Sequence, residues 1–191
     1  MRLASTLDEM GVSVININGI NFQYFMKLFG NFQGSSGPNI PIYCSGLTDR
    51  DPGKDIYPKK DVEVESKNPI VSIKDKIDSN KWTRLFVSPL KTFEYDLATY
   101  NPQILATVLR SLWPTPDGTV CAELDEIIGK KAEYSDLSLL AKDAECIYRR
   151  IESSEIGKGE FAYSLAEKIT DDFIVPNYIS NAVLWACGGK S

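Results

Sequence analysis

The sequence predicts an α/β fold: a small parallel sheet with flanking helices and a helical insertion. Three observations carry this. Short β-branched or apolar runs, at residues 12–17, 40–44 and 85–87, are confined to the first half of the chain. Segments with helical spacing of apolar residues fill the second half. Between the first two runs lies a helical segment, and strand–helix–strand order implies a parallel pair joined by a right-handed crossover.

Taken in order, Leu3, Leu7 and Met10 share one helical face and Gly11 follows as a natural C′ residue. The chain therefore reads as opening on the last turns of a helix. Val12-Ser13-Val14-Ile15-Asn16-Ile17 alternates apolar and polar residues and reads as a strand. Asn21 is placed to cap a helix through Phe29, with Phe22, Phe25, Met26 and Phe29 on one side. Residues 31–39 form a loop, and Ile40 to Cys44 a second strand. The polar stretch from Asp49 to about Lys81 reads as a long loop with one short helix near Ile73 to Ile77, and loops of that length are usually functional or disordered. Leu85-Phe86-Val87 is the third strand. Thr92 caps a helix to about Tyr100, and Pro102 starts another that runs to Trp113. Helices follow at about 122–129, 136–151, 159–171 and 176–187.

At 191 residues the chain is long enough for one domain with a real core. Hydrophobic residues make up 43% and charged residues 25%, the balance of a globular protein, and no apolar run reaches the length needed to cross a bilayer. Neither a membrane partner nor a secretory signal is expected, and the expected location is cytoplasmic. With 21 Lys+Arg against 26 Asp+Glu, the net charge is −5, so any contact with nucleic acid needs a local basic patch or bound cations. Histidine is absent, which removes Ser-His-Asp and Cys-His triads and the usual zinc sites. Cys44, Cys121, Cys146 and Cys187 are widely spaced and read as free thiols.

Chemistry is therefore sought among carboxylates and lysines. Asp49 and Asp51 stand one residue apart directly after the second expected strand, and sites in α/β sheets form beyond the carboxyl ends of strands. Such a pair suits a hard cation such as Mg²⁺, which takes one or two protein carboxylates and keeps several waters. A solvated acidic pair fits the same spacing. Glu94 and Asp96 follow the third strand; they suit a cation site, and equally the first turn of a helix, where the dipole welcomes negative charge. Lys158, between Gly157 and Gly159, opens a helix whose N-terminus favours anions, though the spacing of a Walker A loop is absent and a plain surface lysine reads the same way. The lysines from Lys54 to Lys91 are interleaved with acids, so that segment either follows a phosphate backbone or is a solvated face.

Four motifs in this order resemble one family. The run from Leu7 to Gly19, then Ile40 to Cys44 followed by Leu47-Thr48-Asp49-Arg50-Asp51, then Thr92-Phe93-Glu94-Tyr95-Asp96-Leu97, then Lys158-Gly159-Glu160-Phe161-Ala162 with Leu165-Ala166, looks like the C-terminal Toprim nuclease domain of OLD-type (overcoming lysogenization defect) ATP-dependent endonucleases. The resemblance covers nearly the whole chain. It implies a Toprim-like sheet over residues 1–191 with a helical insertion at about 100–152, and metal-dependent DNA cleavage in defence against foreign DNA. It implies Asp49, Asp51 and Glu94 as ligands of a two-metal Mg²⁺ or Mn²⁺ site, with Asp96 a further candidate. Asp49 and Lys158 would be catalytic, Lys158 by stabilising the charged phosphate.

The same resemblance marks a departure. The family's domain begins with a strand ending in a Glu-Gly pair, whose glutamate is a metal ligand or catalytic group, and no such strand precedes Met1. Residues 2–10 look like the tail of the helix that should follow it. The chain is thus expected to be N-terminally truncated, with ATP entering only through an ATPase domain or chain upstream. Expected partners are DNA, with RNA as the alternative, that ATPase, and a second copy in a homodimer. Two other readings stay open: a non-catalytic module that binds nucleic acid or the ATPase partner, and a degenerate remnant.

Overall fold

The computed structural model describes residues 6–17, 22–32, 37–115, 118–130, 134, 136–153 and 155–188. In chain order the elements are α1 (Gln23–Met26), β1 (Cys44–Thr48), a 3₁₀ turn (Pro69–Ile73), α2 (Lys74–Asp78), β2 (Thr83–Val87), α3 (Phe93–Tyr100), α4 (Pro102–Leu112), α5 (Thr119–Ile128), α6 (Leu137–Ile151), α7 (Lys158–Ala166) and α8 (Asn177–Ala186). They fall into two compact units. The first holds residues 1–54, 65–89 and 176–191; the second holds 55–64 and 90–175.

The first unit is α/β, as expected, with a small parallel sheet. Strands β1 and β2 pair in parallel, Cys44 opposite Thr83 through Thr48 opposite Val87. Side chains alternate across a strand, and here the alternation divides the labour. Gly46 and its partner Leu85 face the buried cluster of Phe22, Met26, Phe32, Ile70 and Ile77. Ser45 and its partner Arg84 meet α8: the Ser45 hydroxyl donates to the Ala182 carbonyl at 2.6 Å, and the Arg84 guanidinium lies 4.1 Å from the centre of the Trp185 ring. Tyr43 fits between Trp82 and Trp185, 5.2 Å from each ring.

Two strand expectations are corrected. The second strand begins at Cys44, where Ile40–Cys44 was expected to end it. Pro41 has no N–H to give a ladder, and the Ile40 N–H is already committed to the Leu28 carbonyl at 2.8 Å. Residues 12–17 run outside the sheet, with Val14 82% and Ile15 58% exposed, although their alternation reads as a strand. The parallel pair is therefore β1 with β2, connected through the 3₁₀ turn and α2 rather than through α1. Helix α1 itself is shorter than expected, ending at Met26, and the proposed cap Asn21 lies outside the described residues.

The opening segment bears out Gly11 as the residue that closes a helical turn. Thr6 and Glu9 cap one another, the Thr6 N–H donating to Glu9 Oε2 at 2.8 Å and the Glu9 N–H to Thr6 Oγ1 at 3.3 Å. That reciprocal pair marks the start of a turn, which closes at Gly11 with φ +70°. Residues 6–11 are thus one self-contained turn, and the expectation of a helix through residues 2–5 lies outside the described residues.

Gly46 shows why β1 is hard to see as a strand. A Cβ there would stand 2.7 Å from the Phe22 ring and 2.8 Å from Met26 Sδ. A glycine weakens a strand unless a neighbour needs the space, and here α1 does. Gly46→Val is expected to cost about 1–3 kcal/mol through overpacking, read as a lower urea midpoint with an unchanged slope.

The second unit is helical and matches expectation closely. The Thr92 hydroxyl accepts the Tyr95 N–H and caps α3, and Asp136 caps α6 through the Ser138 N–H at 2.7 Å. Proline at the first position opens α4. Helix α4 packs on α3, α5, α6 and α7. Its apolar face, Leu105, Val108 and Leu109, is fully buried. Asn101, at the α3–α4 corner, exchanges two hydrogen bonds with the Ile174 backbone at 2.7 and 2.8 Å. Helix α7 stops at Ala166, earlier than the expected Asp171. All four cysteines are free. Among the described residues no helix is long and apolar enough to cross a membrane.

Candidate functional site

Because β1 ends at Thr48, Asp49 and Asp51 emerge directly from the carboxyl end of a parallel strand. The Ser88 N–H donates to the Thr48 carbonyl at 2.9 Å, which extends the pairing one step past the strand ends. Beyond it the loop turns sharply: Asp51 has φ +53° and Gly53 φ +144°. A non-glycine residue in that region is uncommon and needs support from its surroundings. Support comes from residues 66–68. The Asn68 side-chain amide donates to Thr48 Oγ1 at 2.9 Å and to the Asp49 carbonyl at 2.8 Å. Ser66 Oγ donates to the Arg50 carbonyl at 2.5 Å, and the Lys67 N–H to the Asp51 carbonyl at 3.2 Å. Arg50 in turn donates from Nε to the Ser88 carbonyl at 3.1 Å. The Asp49 side chain is half-buried and Asp51 is exposed.

In the second unit Glu94 lies in the first turn of α3, and Lys158 opens α7. These two meet. Lys158 Nζ donates to Glu94 Oε1 at 3.3 Å and to Glu152 Oε1 at 2.5 Å. Partial burial works against the ammonium, yet the hydrogen bond to Glu152 and the charges of Glu94 and Glu152 prevail and hold the Lys158 pKa above its ordinary value. Lysine at a helix N-terminus opposes the dipole, so the two glutamates supply what the helix does not. A Cβ at Gly157 or Gly159 would meet nothing within 4 Å, so packing does not require these glycines. Lys158 remains 56% exposed, and exposed pairs contribute little to stability. Glu152→Gln is accordingly expected to change the unfolding free energy by less than about 1 kcal/mol, measured by chemical denaturation.

Asp96 sits apart from Glu94. Residues two apart on a helix do not share a face. Asp96 is fully buried and its Oδ1 accepts the Lys91 N–H at 3.3 Å. Lys91 was placed in a segment expected either to follow a phosphate backbone or to be a solvated face; instead it is 2% exposed. Its ammonium donates to the Ile56 carbonyl at 3.0 Å and lies 4.9 Å from the Tyr57 ring centre and 5.7 Å from that of Tyr148. Those two rings and Tyr95 stand about 6 Å from one another. Burial, then the negative charges of Glu152 and Glu94, push the Tyr148 phenol up to about 12, so the ring stays neutral.

Sequence reading missed Glu152, Ser66, Asn68 and the burial of Lys91. Nothing local marks them, since each acts through contacts 15 or more residues away or, for Glu152, across the α6–α7 turn. Among the described residues no three acidic or sulfur side chains gather around one point. The acidic pair on the β1 loop therefore does not form a closed protein cage. Two carboxylates on one braced loop do fit a hydrated Mg²⁺ or Mn²⁺, whose remaining positions belong to water and substrate oxygens. A separate cleft of about 510 Å³ opens in the first unit, lined by residues 12–17, α1, β1 and α8.

No family model matches the sequence, and no curated protein matches it. Solved structures do. The chain is similar to the C-terminal region of the Burkholderia pseudomallei OLD protein, with a TM-score of 0.61 and 25% identity over 95% of this chain and 84% of that one. It is similar as well to the C-terminal region of the Xanthomonas campestris pv. campestris OLD protein, with a TM-score of 0.53 and 26% identity over 95% of this chain and 80% of that one. The resemblance read from the four motifs is thus matched by resemblance of the fold over nearly the full chain.

Proposed function

We propose, from the similarity in fold and motif order that supports membership of the OLD family, that this chain cleaves phosphodiester bonds of DNA with divalent cations held at Asp49 and Asp51. The observation that carries the reading is the placement of this acidic pair on a braced loop at the carboxyl end of β1. Mg²⁺ or Mn²⁺ bound there supplies Lewis-acid activation of water and neutralises charge on the phosphate.

The side chains have distinct duties. Asp49 and Asp51 bind the cations. Glu94 is a further ligand in this reading. Asp96, fully buried with Oδ1 on the Lys91 N–H, is the weakest candidate because no side of it is open to solvent. Lys158 donates to a non-bridging phosphate oxygen and stabilises the charge that develops there. Its ion pairs with Glu94 and Glu152 keep it charged and extended in the meantime. Cations at the acidic pair also explain how a chain of net charge −5 handles a polyanion. ATP enters this scheme only through an ATPase region of the kind the resemblance implies upstream.

The test is nicking of supercoiled plasmid by the purified chain in Mn²⁺, beside Asp49→Asn and a chelator control. Cleavage by wild type alone supports the reading, and cleavage that survives Asp49→Asn overturns it. An RNA substrate in parallel decides between the two nucleic acids.

A further inference from the structure

Two hydrogen-bonding side chains remote in sequence from the acidic motif hold its backbone. We infer that Asn68, assisted by Ser66, is a positioning residue that sets the Asp49–Asp51 loop in the conformation that receives the cation. The inference rests on the metal-binding reading of that pair.

The geometry is specific. Asn68 is 4% exposed, and its amide donates to two successive residues of the motif, Thr48 Oγ1 and the Asp49 carbonyl. Its Oδ1 accepts the Ile70 N–H at 3.2 Å and caps the 3₁₀ turn. One side chain thus fixes the loop at Asp49 to a turn whose Ile70 is buried in the core of the first unit. Ser66 completes the brace: its hydroxyl donates to the Arg50 carbonyl and accepts the Asn68 N–H at 3.1 Å. Lys67 N–H holds the Asp51 carbonyl. Three consecutive carbonyls, those of Asp49, Arg50 and Asp51, are therefore held by three consecutive residues, 66–68. Asp51 stands at φ +53°, a conformation that an unsupported aspartate visits only rarely. Remove the brace and the loop relaxes toward ordinary φ, which moves one carboxylate relative to the other. Groups that orient a metal ligand without touching the metal typically change affinity by 10- to 100-fold when removed.

Neither Asn68 nor Ser66 is assigned to the metal or the substrate in that reading, so their role is separable from the chemistry. The experiment is Mn²⁺ titration of the full chain by calorimetry, with amide hydrogen exchange read at residues 49–53 and across the sheet. Variants are Asn68→Ala, Ser66→Ala, Asn68→Asp (which keeps the acceptor for Ile70 and loses both donated bonds) and Asp49→Asn. Expected are Mn²⁺ binding by wild type, none by Asp49→Asn, and binding weakened about 10- to 100-fold in Asn68→Ala and Asn68→Asp. Exchange should accelerate at residues 49–53 while β1 and β2 stay protected, and Ser66→Ala should show a smaller effect of the same kind. Wild-type affinity in Asn68→Asp, or faster exchange spread evenly over the first unit, overturns the positioning role. If wild type binds no Mn²⁺, the metal reading falls. The brace is then judged by exchange alone, where acceleration confined to residues 49–53 upholds it and uniform or absent acceleration rejects it.

Discussion

Asp49→Asn is expected to lower Mn²⁺-dependent nicking by about 10³-fold or more, since a metal's charge stabilisation is worth several kcal/mol and each 1.4 kcal/mol is tenfold in rate. The brace on the loop should survive in the metal-free variant. It is the backbone carbonyl of Asp49 that Asn68 grips, and the substitution leaves that carbonyl in place. A contrast appears when cation is added. A ligand at 100 times its Kd stabilises the state that binds it by about 2.7 kcal/mol. Mn²⁺ should therefore raise the thermal midpoint of wild type and leave that of Asp49→Asn unmoved. A variant that loses nicking because it unfolds would show the opposite pattern, with a lowered midpoint before any metal is present.

The second large effect is expected in the helical unit. Asp143, 5% exposed on α6, accepts both Lys130 Nζ, at 2.7 and 2.9 Å, and the Tyr134 hydroxyl, at 2.8 Å. Asp143→Ala removes the counter-charge and leaves the Lys130 ammonium, whose side chain is only 20% exposed, to Glu126 at 3.5 Å. Breaking one side of a buried pair costs about 3–5 kcal/mol; Glu126 remains as a partner, so about 3 kcal/mol is expected here. Asp143→Asn keeps an oxygen for Tyr134 and should fall between. The measurement is urea unfolding followed by the fluorescence of Trp113, the tryptophan of this unit. Burial, then the bond to and charge of Asp143, raise the Tyr134 pKa above its ordinary value. A raised phenol pKa adds stability that is complete below the unfolded value of about 10 and lost as pH rises through the folded one. Wild type should thus weaken at alkaline pH, and Tyr134→Phe should weaken less steeply.

Local signals for helix starts were read correctly, while strand pairing and the brace were not. Thr92 and Asp136 announce helix starts because a cap acts within three residues. Pro102 does the same through its own ring. Strand β1 was displaced by four residues because Gly46 looks like a weakness until Phe22 and Met26 are seen against it. Residues 12–17 have the alternation of a strand, yet a ladder depends on a partner backbone that no local pattern reveals. The position of the acidic pair was legible, since Asp49 and Asp51 lie next to a strand in sequence. Its brace was not, because Ser66 and Asn68 look like any polar loop residues until the chain returns to the motif. Lys158 and Glu94 were both singled out, but the glutamate that completes their cluster, Glu152, belongs to no motif.

The path of the chain between the two units has a consequence for synthesis. A ribosome that has made residues 55–175 has delivered every segment of the helical unit. The first unit is still waiting, since α8, which packs on both β1 and β2, comes after residue 175. The half that begins earlier is finished last. Released chains that end before Pro176 should protect the helical unit from protease and leave the acidic loop open to it, whereas chains that carry α8 should protect both.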